Sequence, residues 1–310
     1  DRSPLPKHPY SQDNRPGMIA PGYEMEEIDL QFLDKSLVFL EQHAKDKKKT
    51  PFFLFHSTQA VHLPSFPADQ FKGKTKVGPH GDFIFELDYI VGKLMSALDK
   101  YGLTDNTLVI FSSDNGPEVP TVLSMRKDYN HDGARPWRGV KRDNWEGGHR
   151  VPFIARWPGK IKPGTTSSQT LSLTDLMATF AAITNAKLPS DAGEDSVNML
   201  PALIGKDEGI PIRKYTLHQT MSLALSIRRG SWKYLDHKGS GGNNYNRAGR
   251  WGMKEYIVPE KAPLAPGQLY DLTSDPGETD NLYYKKPEIV KELKSKLEEF
   301  KKSGRSAPLS

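Results

Sequence analysis

Leu108-Val109-Ile110-Phe111-Ser112-Ser113-Asp114-Asn115-Gly116 is an apolar, β-branched run that stops at a carboxylate, a carboxamide and a glycine. A buried parallel strand reads this way when it ends in a loop. In open α/β sheets, ligands sit beyond the carboxyl ends of the strands. Asp114 beside Asn115 offers hard oxygen donors suited to Ca²⁺ or Mg²⁺. Asp-Asn-Gly also makes a good Asx-turn, so on these residues alone a metal site and a plain turn are both open.

Upstream, Leu30, Leu33, Leu37 and Leu40 recur at helical spacing and predict a helix over 26–44. Phe52-Phe53-Leu54-Phe55 reads as a short buried strand. After a proline-rich loop, Phe83, Leu87, Ile90, Leu94 and Leu98 predict a helix over 82–101. Strand, helix and strand in this order argue for a βαβ unit, and so for a largely parallel sheet with helices on its faces. Downstream, 116–150 shows no clear periodicity, and loops that long are usually functional. Residues 151–156 read as a strand. Thr174 is placed to cap a helix through 183 that buries Leu176, Met177, Phe180 and Ile183.

The pattern changes near 205–211, a linker-like stretch. Beyond it come strand-like runs at 215–218, 223–228, 232–235 and 269–272, and a Gly/Asn-rich loop at 239–252 that reads as mobile. A closing helix over 287–302 has an apolar stripe of Val290, Leu293, Leu297 and Phe300. Strands followed by a helix make a small α+β subdomain. The division expected is therefore 1–205 and 206–310.

The chain has 310 residues, no cysteine and a formal net charge of +5. Disulfides, thiolate zinc sites and cysteine nucleophiles are thereby excluded from it. No apolar run is long enough to span a bilayer. The basic run at 45–49 and the Lys/Glu-rich closing helix read as solvated surface, with no recognisable nucleic-acid module. Neither a nucleic-acid nor a membrane partner is expected.

Three clusters carry candidate chemistry. His62 lies in a rigid proline loop, where it suits proton donation or anion binding. Asp114-Asn115 is the second. The third is Arg138-Gly139-Val140-Lys141, leading into Trp145-Glu146-Gly147-Gly148-His149-Arg150; its glycines would let backbone approach a ligand, and Lys141 would put a point charge on an oxyanion. Asp82, Glu86 and Asp88 read as helix-terminus and surface charge.

Taken in order, these segments closely resemble the sulfatase family of the alkaline-phosphatase superfamily. The matching stretches include Pro51-Phe52-Phe53-Leu54 with His62-x-Pro64, and Gly81-Asp82 through Leu87-Asp88-x-x-x-Gly92. They continue with the run from Asn106 to Gly116, Arg138-Gly139-x-Lys141, and Trp145-Glu146-Gly147-Gly148-x-Arg150-Val151-Pro152. Ile154 to Gly159, Thr174-Asp175-Leu176 and Leu269-Tyr270-Asp271-Leu272-x-x-Asp275-Pro276-Gly277-Glu278 complete the likeness, which covers about 26–300.

The resemblance implies an α/β fold: a mostly parallel mixed sheet flanked by helices, alkaline-phosphatase-like and amino-terminally incomplete, with the small α+β subdomain behind it. It implies sulfate-ester hydrolysis on a sulfated glycan or aryl sulfate, with Ca²⁺ (or Mg²⁺) as cofactor. Asp114 and Asn115 match metal ligands. Lys141 and His62 match catalytic and sulfate-binding residues, and His131 and Arg135 are offered as further substrate contacts. The family nucleophile is a formylglycine made from Cys or Ser in Cys/Ser-x-Pro-x-Arg. Ser65-Phe66-Pro67-Ala68-Asp69 is the only echo and lacks the arginine, so no nucleophile is assigned to this chain. The expectation is a carboxyl-terminal part of a sulfatase, partnered by its missing amino-terminal segment, inactive alone and weak for Ca²⁺. A phosphate or phosphonate monoester hydrolase of the same superfamily and a non-catalytic sulfated-glycan-binding homologue are the alternatives. A periplasmic, secreted or lysosomal location goes with the family.

Overall fold

A computed structural model describes residues 20–48 and 50–308. The polar opening and Lys49 of the basic run lie outside the described residues. The chain forms two compact units, Asp1–Thr107 with Glu118–Gly133, and Leu108–Pro117 with Ala134–Ser310.

The first unit is helical. α1 (Ile28–Ala44) packs on α2 (Gly78–Lys100), burying Leu33 and Leu40 from one helix and Phe83, Ile90, Ala97 and Leu98 from the other. α2 starts four residues before the predicted 82, because Pro79 sits in its first turn, where its fixed φ is preorganised and its missing N–H is not needed. α3 (Val119–Tyr129) falls inside the stretch read as aperiodic; Pro120 opens it, Val119, Val122 and Met125 are buried, and left-handed Asn130 ends it.

Two expectations for this unit are corrected. Segment 52–55 joins no ladder among the described residues, and Phe53 and Phe55 are 72% and 79% exposed. An apolar run becomes a buried strand only where neighbouring strands and covering helices flank it, and composition cannot report their presence. Asp82 and Glu86 are not surface charges. Asp82 takes hydrogen bonds from the Gly73 and Thr75 amides, both at 2.8 Å, and Glu86 from the Ala68 amide at 2.9 Å. Both carboxylates hold the proline loop onto α2.

In the second unit β1 (Val109–Ser112) pairs with β2 (Phe153–Arg156). The pair is antiparallel, with Val109 opposite Arg156 and Ser112 opposite Phe153. The α/β class holds, but both sheets formed by the described residues are antiparallel; a strand's own pattern does not name its neighbour's direction. Ser172 and Asp175 form a capping box on the turn that leads into α4 (Leu176–Thr184), a role expected of Thr174. Within α4 only Thr179 is fully buried; of the predicted apolar face Leu176, Phe180 and Ile183 are half-buried and Met177 is 48% exposed. The α4 start is instead fixed by charge: buried Asp175 pairs with buried Arg213.

After the single turn of α5 (Leu200–Leu203) comes the antiparallel meander β3 (Thr216–Gln219), β4 (Leu225–Arg229), β5 (Trp232–Leu235) and β6 (Gln268–Asp271). α6 (Pro287–Ser303) lays Val290, Leu293, Leu297 and Phe300 against Ile227, Tyr234 and Leu269. Alternation along β5 sends Tyr234 to this helix and Lys233 and Leu235 to the opposite face. There Leu235 and Tyr270 meet Trp145. No helix of the described residues is long and apolar enough to cross a membrane.

Candidate active site

Three loops of the second unit are woven together by their backbones. The Gly116 amide donates to the Gly148 carbonyl at 2.9 Å, the Gly147 amide to Arg138 at 2.7 Å, and the Lys141 amide to Pro117 at 2.9 Å. A Cβ on Gly116 would lie 1.9 Å from the Gly147 carbonyl oxygen; one on Gly147 would lie 2.2 Å from that of Gly139; one on Gly148 would lie 2.1 Å from that of Asp143. These glycines admit backbone to backbone, rather than backbone to ligand as their sequence context suggests. The weave brings the turn after β1, which carries Asp114 and Asn115, against the loop that carries Lys141.

Asp114 is exposed and Asn115 half-buried. The Asn115 amide nitrogen donates to the Gly116 carbonyl at 3.0 Å, which leaves its carboxamide oxygen for other work. These two oxygen donors suit a hard divalent cation in kind. In number they fall short of a 6–8 oxygen shell, and no cluster of three or more acidic, histidine or cysteine side chains able to hold a metal occurs among the described residues. Lys141 is partly buried, with its carbonyl accepting from Asn243 at 2.7 Å. Arg135 is exposed, on a turn closed by the Trp137 amide on the Ala134 carbonyl at 2.9 Å.

His62 and His131 belong to the first unit and are both exposed. His62 is held by its neighbours. Asp29, buried on α1, accepts from the Gln59 and Ala60 amides, both at 2.7 Å, and the His62 amide closes on the Gln59 carbonyl at 2.8 Å. The ring Nδ1 lies 2.5 Å from the Leu63 carbonyl oxygen and so carries a hydrogen. His131 follows the left-handed end of α3, its amide on the Met125 carbonyl at 3.0 Å. Ser65 is buried and bonded to His80 at 3.0 Å.

Beneath the woven loops lies a charge cluster that the sequence reading did not assign. Glu146 is 1% exposed. Its carboxylate meets Lys233 at 2.9 Å, Arg150 at 3.1 Å and Arg228 at 3.2 Å. Lys233 also approaches the Glu278 carboxylate at 3.0 Å and His149 Nε2 at 3.1 Å. The second Glu278 oxygen accepts from the Glu146 amide at 2.6 Å. Burial pushes Glu146 upward, but Lys233, His149 and Arg228 together pull it well below the carboxylate range. Burial raises Glu278 to about 7, against the pull of Lys233 and with the repulsion of Glu146. The His149 ring stacks on His218 at 3.5 Å. Arg138 seats its guanidinium 3.5 Å from the Trp145 ring and donates to the Glu278 carbonyl at 2.7 Å. The motif residues Arg138, Glu146 and Arg150 thus anchor the loops that carry Asp114, Asn115 and Lys141.

A second anchor joins loop 239–252 to the Lys141 loop. Buried Asp143 accepts from the Val140 amide at 3.0 Å, the Asn243 amide at 3.0 Å, the Asn243 side chain at 2.9 Å and the Tyr245 hydroxyl at 2.7 Å. Burial raises its pKa, opposed by these donors, Tyr245 foremost. The Asn144 amide donates to the Ser240 carbonyl at 2.8 Å. Loop 239–252 is therefore pinned rather than mobile.

The sulfatase family pattern matches residues 1–186. An N-acetylgalactosamine-6-O-sulfatase of Bacteroides thetaiotaomicron is 38% identical over 271 residues, covering 86% of this chain and 50% of that protein. Human arylsulfatase A is 33% identical, with 80% and 48% covered. A solved 6S-sulfatase from a Bacteroides thetaiotaomicron locus for glycosaminoglycan metabolism superposes with a TM-score of 0.78 at 34% identity, over 90% of this chain and 55% of its own. A sulfatase from Pseudoalteromonas sp. superposes with a TM-score of 0.73 at 26% identity, over 94% and 57%. The chain spans about half the length of the curated relatives it matches. By pattern, by sequence and by fold, this chain belongs to the sulfatase family.

Proposed function

We propose that this chain carries one half of a sulfuric ester hydrolase site that acts on a sulfated glycan. The observation that supports it is the backbone weave, which sets Asp114, Asn115 and Lys141 on adjoining loops. The nucleophile comes from residues outside these 310, because the chain holds no cysteine and its Ser-x-Pro echo is buried. Asp114 and Asn115 would supply two of the oxygen ligands of a divalent cation, which would withdraw charge from a sulfate oxygen. Lys141 places its ammonium against the charge that develops on the transferring group. His62, with Nδ1 committed to the Leu63 carbonyl, uses Nε2 to deliver a proton to the departing alcohol. Arg135 adds a further cation for the substrate's anionic groups, and His131 is a separate candidate contact.

The reading is tested by assaying sulfate and phosphate monoesters with the full-length protein that contains this chain and with the chain alone. The full-length protein is expected to release sulfate in a Ca²⁺-dependent reaction, and the chain alone to be inactive. Lys141→Ala in the full-length protein is expected to lower kcat by about 10²–10³, the loss typical of one preorganised electrostatic donor. Faster hydrolysis of phosphate than of sulfate esters, or an unaffected Lys141→Ala variant, would overturn it.

A further inference from the structure

Trp251 is 42% exposed, on a loop that is otherwise tied down. The Gly252 amide closes on the Gly249 carbonyl at 2.8 Å and the Lys254 amide on that of Arg247 at 3.1 Å. Met253, next to it, is 1% exposed and acts as a buried peg. A Cβ at Gly252 would lie 2.0 Å from the Arg247 carbonyl oxygen, so the turn is tight. Leaving an indole in water on a fixed turn forgoes the burial that usually justifies tryptophan.

The position of this loop is set by the Lys141 loop. Asn243 bonds both the Lys141 carbonyl and Asp143. Gly242 crosses Arg142 so closely that a Cβ would lie 2.0 Å from the Arg142 carbonyl oxygen. Arg142, which follows Lys141, has φ +83°, a left-handed backbone rarely adopted by a non-glycine residue. Strain of this kind concentrates at functional positions, and here three neighbours enforce it: Asp143, Gly242 and Asn243. Its guanidinium lies 5.7 Å from the Trp251 ring centre, within cation–π range.

We propose that Trp251 and Arg142 form a platform for the leaving-group sugar, and that the sugar it takes belongs to an acidic glycan. This rests on the sulfatase reading, in which Lys141 meets the sulfate group. The indole face suits the C–H face of a pyranose ring. The Arg142 guanidinium suits a uronate carboxylate or a second sulfate on the adjoining residue, which it binds through its planar fork. The platform determines specificity; it takes no part in breaking the S–O bond.

The test measures competitive inhibition of aryl sulfate hydrolysis by the full-length protein. One inhibitor is inorganic sulfate. The other is an unsulfated uronate–N-acetylgalactosamine disaccharide, which can use only the platform. Trp251→Ala is expected to raise Ki for the disaccharide at least tenfold while shifting Ki for sulfate less than twofold. Trp251→Phe, which keeps an aromatic face, is expected to stay within threefold for both and guards against a folding defect. Equal shifts for the two inhibitors, or no shift for the disaccharide, would overturn the platform and leave the sulfatase reading standing. Failure of the unsubstituted protein to hydrolyse any sulfate ester would overturn the sulfatase reading, and the platform with it.

Discussion

Lys233→Met removes one charge from the centre of the cluster and little volume. The lysine is fully buried. Its ammonium serves Glu146 at 2.9 Å, Glu278 at 3.0 Å and His149 at 3.1 Å. After the substitution Glu146 keeps Arg228 and Arg150, but Glu278 keeps only the Glu146 amide as a named donor. Removing one partner of a buried ion pair costs about 3–5 kcal/mol, because the remaining charge stays buried without compensation. For a unit of this size, at roughly 2–4 °C per kcal/mol, the melting temperature should fall on the order of 10 °C. Adding Glu278→Gln removes the stranded carboxylate and keeps an oxygen for the Glu146 amide. The double variant should therefore recover part of the loss, and the non-additivity itself measures the coupling. Differential scanning calorimetry on the single variants and the pair completes the cycle. A Lys233→Met loss below about 1 kcal/mol, or strictly additive losses, would refute the claim that this lysine neutralises the cluster.

Gly116→Ala should be severely destabilising, because the 1.9 Å approach to the Gly147 carbonyl is to backbone that cannot rotate away. Hydrogen exchange at the Gly116, Gly147 and Lys141 amides should rise together, and protection unchanged at all three would contradict the weave. A second expectation concerns pH. Burial, then the Lys233 charge, holds His218 at about 3, and burial holds His149 well below its ordinary value. Folded values below the unfolded value of about 6.5 mean that this stabilisation is complete above that pH and is lost as pH falls. Glu278 and Glu86, raised by burial to about 7, act in the opposite sense: their contribution is complete below about 4.5 and is lost as pH rises through 7. Lys233, Glu146, Arg228 and Arg213 are the charges facing the histidine pair. His218→Asn should consequently lose less melting temperature than the unsubstituted chain between pH 7.5 and 5.5. An equal loss would show that the histidine pair does not set the acid sensitivity.

Periodic burial was readable wherever an element packs on its immediate structural neighbours. The stripe Val290, Leu293, Leu297 and Phe300 is buried as its spacing requires, and β5 spans the residues the pattern marks. α3 was missed because its buried residues crowd the first turns while its last turn is charged, so no stripe extends along it. The motif spacing carried the family, and the structure adds why the motif glycines are needed. What no local pattern could supply is the burial of acids. Asp29 meets amides 30 and 31 residues away and Glu146 meets a lysine 87 residues away. A carboxylate's surroundings are decided by such distant partners, and the motif around Glu146 does not say which cation it meets.

The Glu146–Lys233–Glu278 cluster also bears on how substrate range can be exchanged among relatives. A transplant of the closing sheet alone would bring a foreign cation under an unaltered Glu146, or none at all. Strand β5, the turn at 275–278 and the loop from 138 to 150 therefore have to travel as one inheritance, so recombination that respects this boundary should outlive recombination that cuts across it.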